Sequence, residues 1–160
     1  MALELTTVGA KVAYAVETTA GTRPTTNFID LEGMTEAPEL GLSTSTLDCS
    51  DLSDKITRYV NGRQDPGGEK AFKANNTPAF RQRWAACVSA YETAKASGKQ
   101  MYFAYIVEGD EDAFYWKGIP VPLGSDGLAG NSIYTCSPKV ICTGVDGYET
   151  APTLTNVSAG

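Results

Sequence analysis

At 160 residues and 17.0 kDa the chain has room for one domain with its own core and not for a second. A net charge of −6 and a pI near 4.6 argue against a protein that grips nucleic acid by neutralising phosphates. The sequence holds no histidine, which removes Ser/His and Cys/His nucleophilic chemistry and histidine-bound zinc and weighs against an enzyme.

The first ten residues read as an N-terminal arm that no pattern fixes, and 11–147 as the folded domain. The opening lacks the basic-then-apolar order of a signal peptide, and no apolar run approaches the roughly 18 residues of a membrane helix, so synthesis in a cytoplasm without a membrane span is expected. Ala10, Val12, Tyr14 and Val16 alternate with Lys11, Ala13, Ala15 and Glu17 as a half-buried strand does. Thr18 to Thr26 is a turn-rich loop, Phe28 to Leu31 a short strand, and Gly33 to Pro38 a break. Leu40 to Leu47 alternates in a way that predicts a strand with one dry face. From Asp48 to Gly68 the chain is polar, closes on Pro-Gly-Gly, and is longer than ordinary connections; a loop of that length in a small domain is functional, disordered or ordered only against a partner, and the short ITRYV run inside it, Ile56 to Val60, points to the third.

Glu69 to Ala74 reads as a strand leading into the one segment of sustained helical periodicity, about 77–97. Thr77 suits the N-cap, Pro78 the first helical position and Gly98 the stop. Phe80, Trp84, Cys87, Val88 and Tyr91 recur at spacings of three and four, so Phe80, Trp84, Val88 and Tyr91 are expected to form the core of a single helix lying on a sheet. Met101 to Glu108 is apolar on both parities and should be a central strand covered on both faces. Ala113 to Ile119 returns as its hairpin partner, Gly124 to Gly130 is a loop, and Asn131 to Val145 is a long strand interrupted at Pro138. The remainder, 148–160, reads as a C-terminal tail.

Candidate chemistry is thin. Gly62 to Gly68 has P-loop-like glycine spacing, but Glu69 stands where the phosphate-binding lysine belongs. Gly124, Gly127 and Gly130 lie between strands, the wrong context for a dinucleotide site. Asp110 to Asp112 lacks the glycine and the distal glutamate of a calcium loop. Cys49, Cys87, Cys136 and Cys142 form no CxxC pair and are expected as free thiols. Asp48, Asp51 and Asp54, three carboxylates at spacing three, could serve acid-base or metal work but have no second ligand cluster nearby, and equally could form a negative surface. No catalytic residue, cofactor or metal is assigned. Charge is segregated along the chain: −7 over residues 1–54, +6 over 55–105 and −5 over 106–160. That pattern either alternates exposed faces of one fold or offers complementary patches to neighbouring copies.

Four stretches together resemble the major tail tube proteins of long-tailed bacteriophages and their prophage relatives: VAYAVETTAGTRPTT, LDCSDLSDKITRYVNGRQDPGG, AFYWKGIPVPLG and the NSIY strand. The resemblance covers about Gly9 to Gly147 and is most specific at Asp48 to Gly68, where family members more often carry threonines in place of Cys49 and Ser50. It implies a mainly β (α+β) fold, a β-sandwich or open barrel of antiparallel strands with one flanking helix, extended termini and a long inter-subunit loop. It also implies homo-hexameric rings stacked into a hollow tube, a virion component assembled in the host cytoplasm. On that resemblance tape-measure protein and DNA would pass through the lumen, with tail terminator and distal tail proteins at the ends. Under that reading Asp48, Asp51, Asp54, Arg58, Tyr59, Arg63 and Asp65 are the expected subunit-interface residues. Two alternatives stand beside it: an acidic β-sandwich binding or adhesin module, and the tube of a contractile tail or secretion device.

Overall fold

The computed structural model describes residues 4–156. Its frame is a seven-stranded sheet in the order β12-β2-β1-β8-β9-β11-β6. The strands are β1 (Lys11–Val16), β2 (Phe28–Asp30), β6 (Gly68–Ala71), β8 (Met101–Ile106), β9 (Asp112–Pro120), β11 (Lys139–Thr150) and β12 (Leu154–Asn156). All neighbours are antiparallel except β12 on β2. β8 lies at the centre and pairs residue for residue with β1, from Lys11↔Ile106 to Val16↔Met101. As its apolarity on both parities predicts, it is covered on both faces. β1, expected to be half-buried, is buried on both faces as well, since its second face carries the small Ala13 and Ala15 that let the chain beyond approach closely.

A second sheet, β10-β7-β3, is built from short continuations of the first: β3 (Met34–Glu36) follows β2, β7 (Lys73–Asn75) follows β6, and β10 (Thr135–Cys136) precedes β11. The chain turns the corner at Phe72 and Pro138, and the Phe72 N–H donates to the Pro138 carbonyl at 2.8 Å, tying the two crossings together. Pro138 is therefore the point where one expected strand becomes two strands in different sheets. The result is an open, partly rolled antiparallel β-structure with one flanking helix.

That helix, α1 (Pro78–Ala96), begins where Thr77 Oγ1 accepts from the Phe80 N–H, and ends at Ser97 and Gly98, whose φ of 72° costs a glycine nothing. Phe80, Trp84, Cys87 and Ala94 are buried, while Val88 and Tyr91 are half-buried at the margin of the same cluster. Beneath them Trp116 stacks on Phe103 at 4.7 Å, with Phe72 on its other flank at 6.0 Å. The opposite face of the sheet carries a smaller cluster of Ala13, Ala15, Phe28, Tyr102, Ala104, Ala113 and Tyr115. Arg23 lies 4.5 Å above the Tyr115 ring and pairs with Asp146, holding the 18–27 loop over that face.

Residues 33–38, expected as a break, contain β3, which pairs with β7, and two longer stretches also differ from expectation. Residues 148–156, expected as a tail, are built into the fold: β11 runs to Thr150, whose carbonyl accepts from the Tyr115 hydroxyl at 2.6 Å, and Leu154 enters the second cluster. Backbone bonding between Thr25, Phe28 and Thr153 satisfies the free edge of β2, which composition alone does not reveal. The distal part of the expected tail, and the first residues of the expected arm, lie outside the described residues. Residues 4–10 of that arm have no regular structure.

The second difference concerns 48–68. Only 49–58 and the Pro66–Gly67 connection are irregular; β5 (Tyr59–Asp65) pairs antiparallel with β4 (Ser43–Asp48) as a separate two-stranded sheet. β4 has no dry face, because nothing but β5 lies against it and all of its residues are exposed.

Candidate assembly interface

The β4–β5 arm is the one part of the described chain without a core of its own. Its ladder runs from Ser43↔Asp65 at the base to Asp48↔Tyr59, with an irregularity between Thr44 and Thr46. At about 3.3 Å per residue each strand extends about 20 Å, and both faces meet solvent. An isolated two-stranded ribbon is marginal in water, so the arm needs either local reinforcement or a partner.

Reinforcement is concentrated at the tip, in 48–58. Asp48 accepts from the Ser50 N–H at 2.9 Å. Asp51 accepts from the Ser53 N–H and hydroxyl at 2.8 and 2.6 Å. Asp54 accepts from the Asp51 N–H at 2.9 Å and from Arg58 Nε at 2.8 Å. The Ser50 hydroxyl accepts from the Arg58 N–H at 2.6 Å, and Cys49 N–H donates to the Arg58 carbonyl at 2.9 Å. The spacing-three acids are thus turn-formers: Asp48 and Asp51 each close an Asx-type turn onto the N–H two residues ahead, Asp54 reaches back to the Asp51 N–H, and Asp51 and Asp54 both pair with Arg58. Hydrogen bonds from Ser50 and Ser53 hold the Asp48 and Asp51 carboxyls below the usual carboxylate range.

The seven residues expected at an interface do not form one patch. Asp51, Asp54 and Arg58 meet at the tip, Asp48 and Tyr59 face each other across the last rung, Arg63 sits along β5, and Asp65 at the base accepts from the Gly67 N–H. The expected set left out the apolar residues Leu52 and Ile56 that lie among them. With its polar neighbours bonded inward, Leu52 is thrown fully into solvent at 107 % exposure and Ile56 at 80 %, while Leu47 and Val60 form an exposed apolar pair across the ladder. The signal in the sequence was the ITRYV run, which already pointed to a partner, together with a leucine isolated in a polar stretch.

Segregated charge resolves in part within the molecule. Arg83 pairs with Glu32 and Lys73 with Asp126, so the basic middle stretch meets both acidic ones across the fold, while Lys139 and Glu69 pair the minority charges of their stretches. Among the described residues no group of three or more Cys, Asp or Glu is placed to hold a metal, and no helix is long and apolar enough to cross a membrane. Cys49 is exposed and the other three thiols are buried, all of them free.

No protein-family model and no curated protein matches the sequence. Among solved structures the fold is shared with a chain in the cryo-EM structure of the anti-feeding prophage (AFP) baseplate, 6-fold symmetrised. The two superpose with a TM-score of 0.55 over 91 % of this chain and 93 % of that one, at 8 % sequence identity. At that identity the likeness is one of fold.

Proposed function

We propose that the chain is a structural subunit of a phage- or prophage-type tail and, within that class, the tube subunit. Copies close into six-membered rings that stack as a hollow conduit for the genome, with no catalysis and no cofactor. Tape-measure protein and DNA occupy the lumen transiently, and terminator and distal tail proteins cap the ends. The observation that carries this reading is the arm: two paired strands with no body behind them, ending in an internally bonded tip that presents Leu52 and Ile56 to solvent. A monomeric binding module has no use for such an element, whereas a subunit that must engage another copy does. The fold neighbour belongs to a six-fold assembly, which supports the ring.

That same neighbour favours one second reading, a baseplate ring component in place of a tube subunit. Negative-stain electron microscopy with sedimentation, on purified protein over a range of salt, separates them. Hollow tubes are expected; rings that never stack support the baseplate reading, and a monodisperse monomer at every concentration overturns both.

A further inference from the structure

We infer that the tip of one copy's arm seats in the groove between α1 and the 121–134 loop of another copy, with Leu52 and Ile56 as the inserted side chains. This rests on the arm being an assembly element, as proposed above, and names its acceptor.

The groove measures about 590 Å³. Its floor is Trp84, whose indole N–H is already spent on the Val121 carbonyl at 2.8 Å, and its walls are Ala85, Val88, Leu123 and Tyr134. Such a volume lies inside the roughly 300–1,000 Å³ of sites that enclose a small molecule, ample for two branched aliphatic side chains. The loop side is fixed: Asp126 accepts from Lys73, Thr135 and Ser137 at 3.2, 3.0 and 2.9 Å, anchoring the wall to the small sheet. Both partners are therefore formed before they meet, which limits the ordering cost of docking.

Charge matches as well. Arg81 is the only charged residue lining the groove, and it donates to the neutral Asn76 amide at 2.6 Å; among the described residues it has no carboxylate partner. The tip, 48–58, carries three carboxylates against Lys55 and Arg58, a net charge of −1 beside its two apolar residues. The arm pairs with no strand of its own body, so its tip is free to reach a neighbour. Tip and groove are different surfaces, so their contact between copies is heterologous and leaves a free tip and a free groove at every step, as a ring or a stack requires.

The test uses the full chain in a Cys49→Ser background, with Leu52→Cys and Ser89→Cys combined; Ser89 is an exposed helical residue on the rim of the groove. Mild oxidation of the assembled protein should give a ladder of covalent oligomers on a non-reducing gel, and neither single variant should give more than dimers. Separately, Ala85→Glu places an acid in the groove opposite the tip carboxylates and should raise the concentration needed for assembly roughly ten-fold or more, with unchanged circular dichroism. Tubes that form without a ladder, or that assemble normally with Ala85→Glu, overturn the tip-in-groove contact and leave the tube reading standing. A background protein that never assembles overturns both.

Discussion

Two tryptophans in the same core face opposite circumstances. Trp84 is buried with its indole N–H bonded to Val121, whereas the Trp116 N–H is buried with no protein partner among the described residues. Trp84→Phe leaves the Val121 carbonyl bereft of its donor, while Trp116→Phe removes a donor that had already lost its hydration. On the usual cost of an unmade buried hydrogen bond, Trp84→Phe should therefore destabilise by about 1 kcal/mol more than Trp116→Phe. Urea unfolding of the two variants measures the difference, and equal costs would show that Trp116 is hydrated in place. A β-carbon at Gly118 would overlap Val140 Cγ1 and lie 2.9 Å from Trp116 Cζ3. Gly118→Val should accordingly lower stability by about 1–3 kcal/mol or more, seen as an earlier urea midpoint. The helix positions of Phe80 and Trp84 were legible because helical period is local, but the bond to Val121 and the overlap of Gly118 with Val140 depend on partners far away in sequence.

Among elements, the arm shows where pattern reading stops. β5 spells Tyr-Val-Asn-Gly-Arg-Gln-Asp, with no alternation, because neither of its faces meets a core; it is a strand only through its pairing with β4. Length and the Pro-Gly-Gly ending identified the segment as unusual, and the ribbon inside it carried no periodic signal. Leu52→Asp with Ile56→Asp should leave a folded monomer, since both side chains touch little of their own chain, and should abolish tube formation in electron micrographs. Reversing Arg58 is a less direct probe, because Arg58 also holds the Asp51 and Asp54 carboxylates. The tip should be acid-labile. Asp48 and Asp51 titrate below their usual 3.8 when folded, so their contribution is present above that value and is lost as pH falls through the lowered folded pKa. Amide exchange at Ser50 and Ser53 should quicken there while Phe80 and Trp84 amides stay protected; simultaneous loss at both places would show that the tip has no independent stability.

For the whole molecule, the broad class was readable: a mainly β chain with one helix and a central strand apolar on both faces. Its arrangement was not, because the small sheet exists only where strands of the large one turn a corner, and a corner at Phe72 or Pro138 looks in sequence like a short interruption. Charge order along the chain left two readings open. The blocks of opposite sign meet within the fold at Arg83–Glu32 and Lys73–Asp126, so part of the segregation is satisfied inside one molecule. Assembly driven by the apolar tip should consequently persist near 1 M salt, where the Debye length falls to about 3 Å, and light scattering against salt checks this. The order of pairing also sets a timetable for synthesis. β4 and β5 are neighbours in sequence and can zip in about 1–10 μs, but β1 must wait for β8, about 90 residues later and about 5–18 s at ribosomal speed. The groove comes later still, since its 121–134 wall is translated after β8. If the tip seats in that groove, a growing chain would display its plug long before it owns a socket, a polysome would have few acceptors to offer, and polymerisation would be deferred until most of the chain is made.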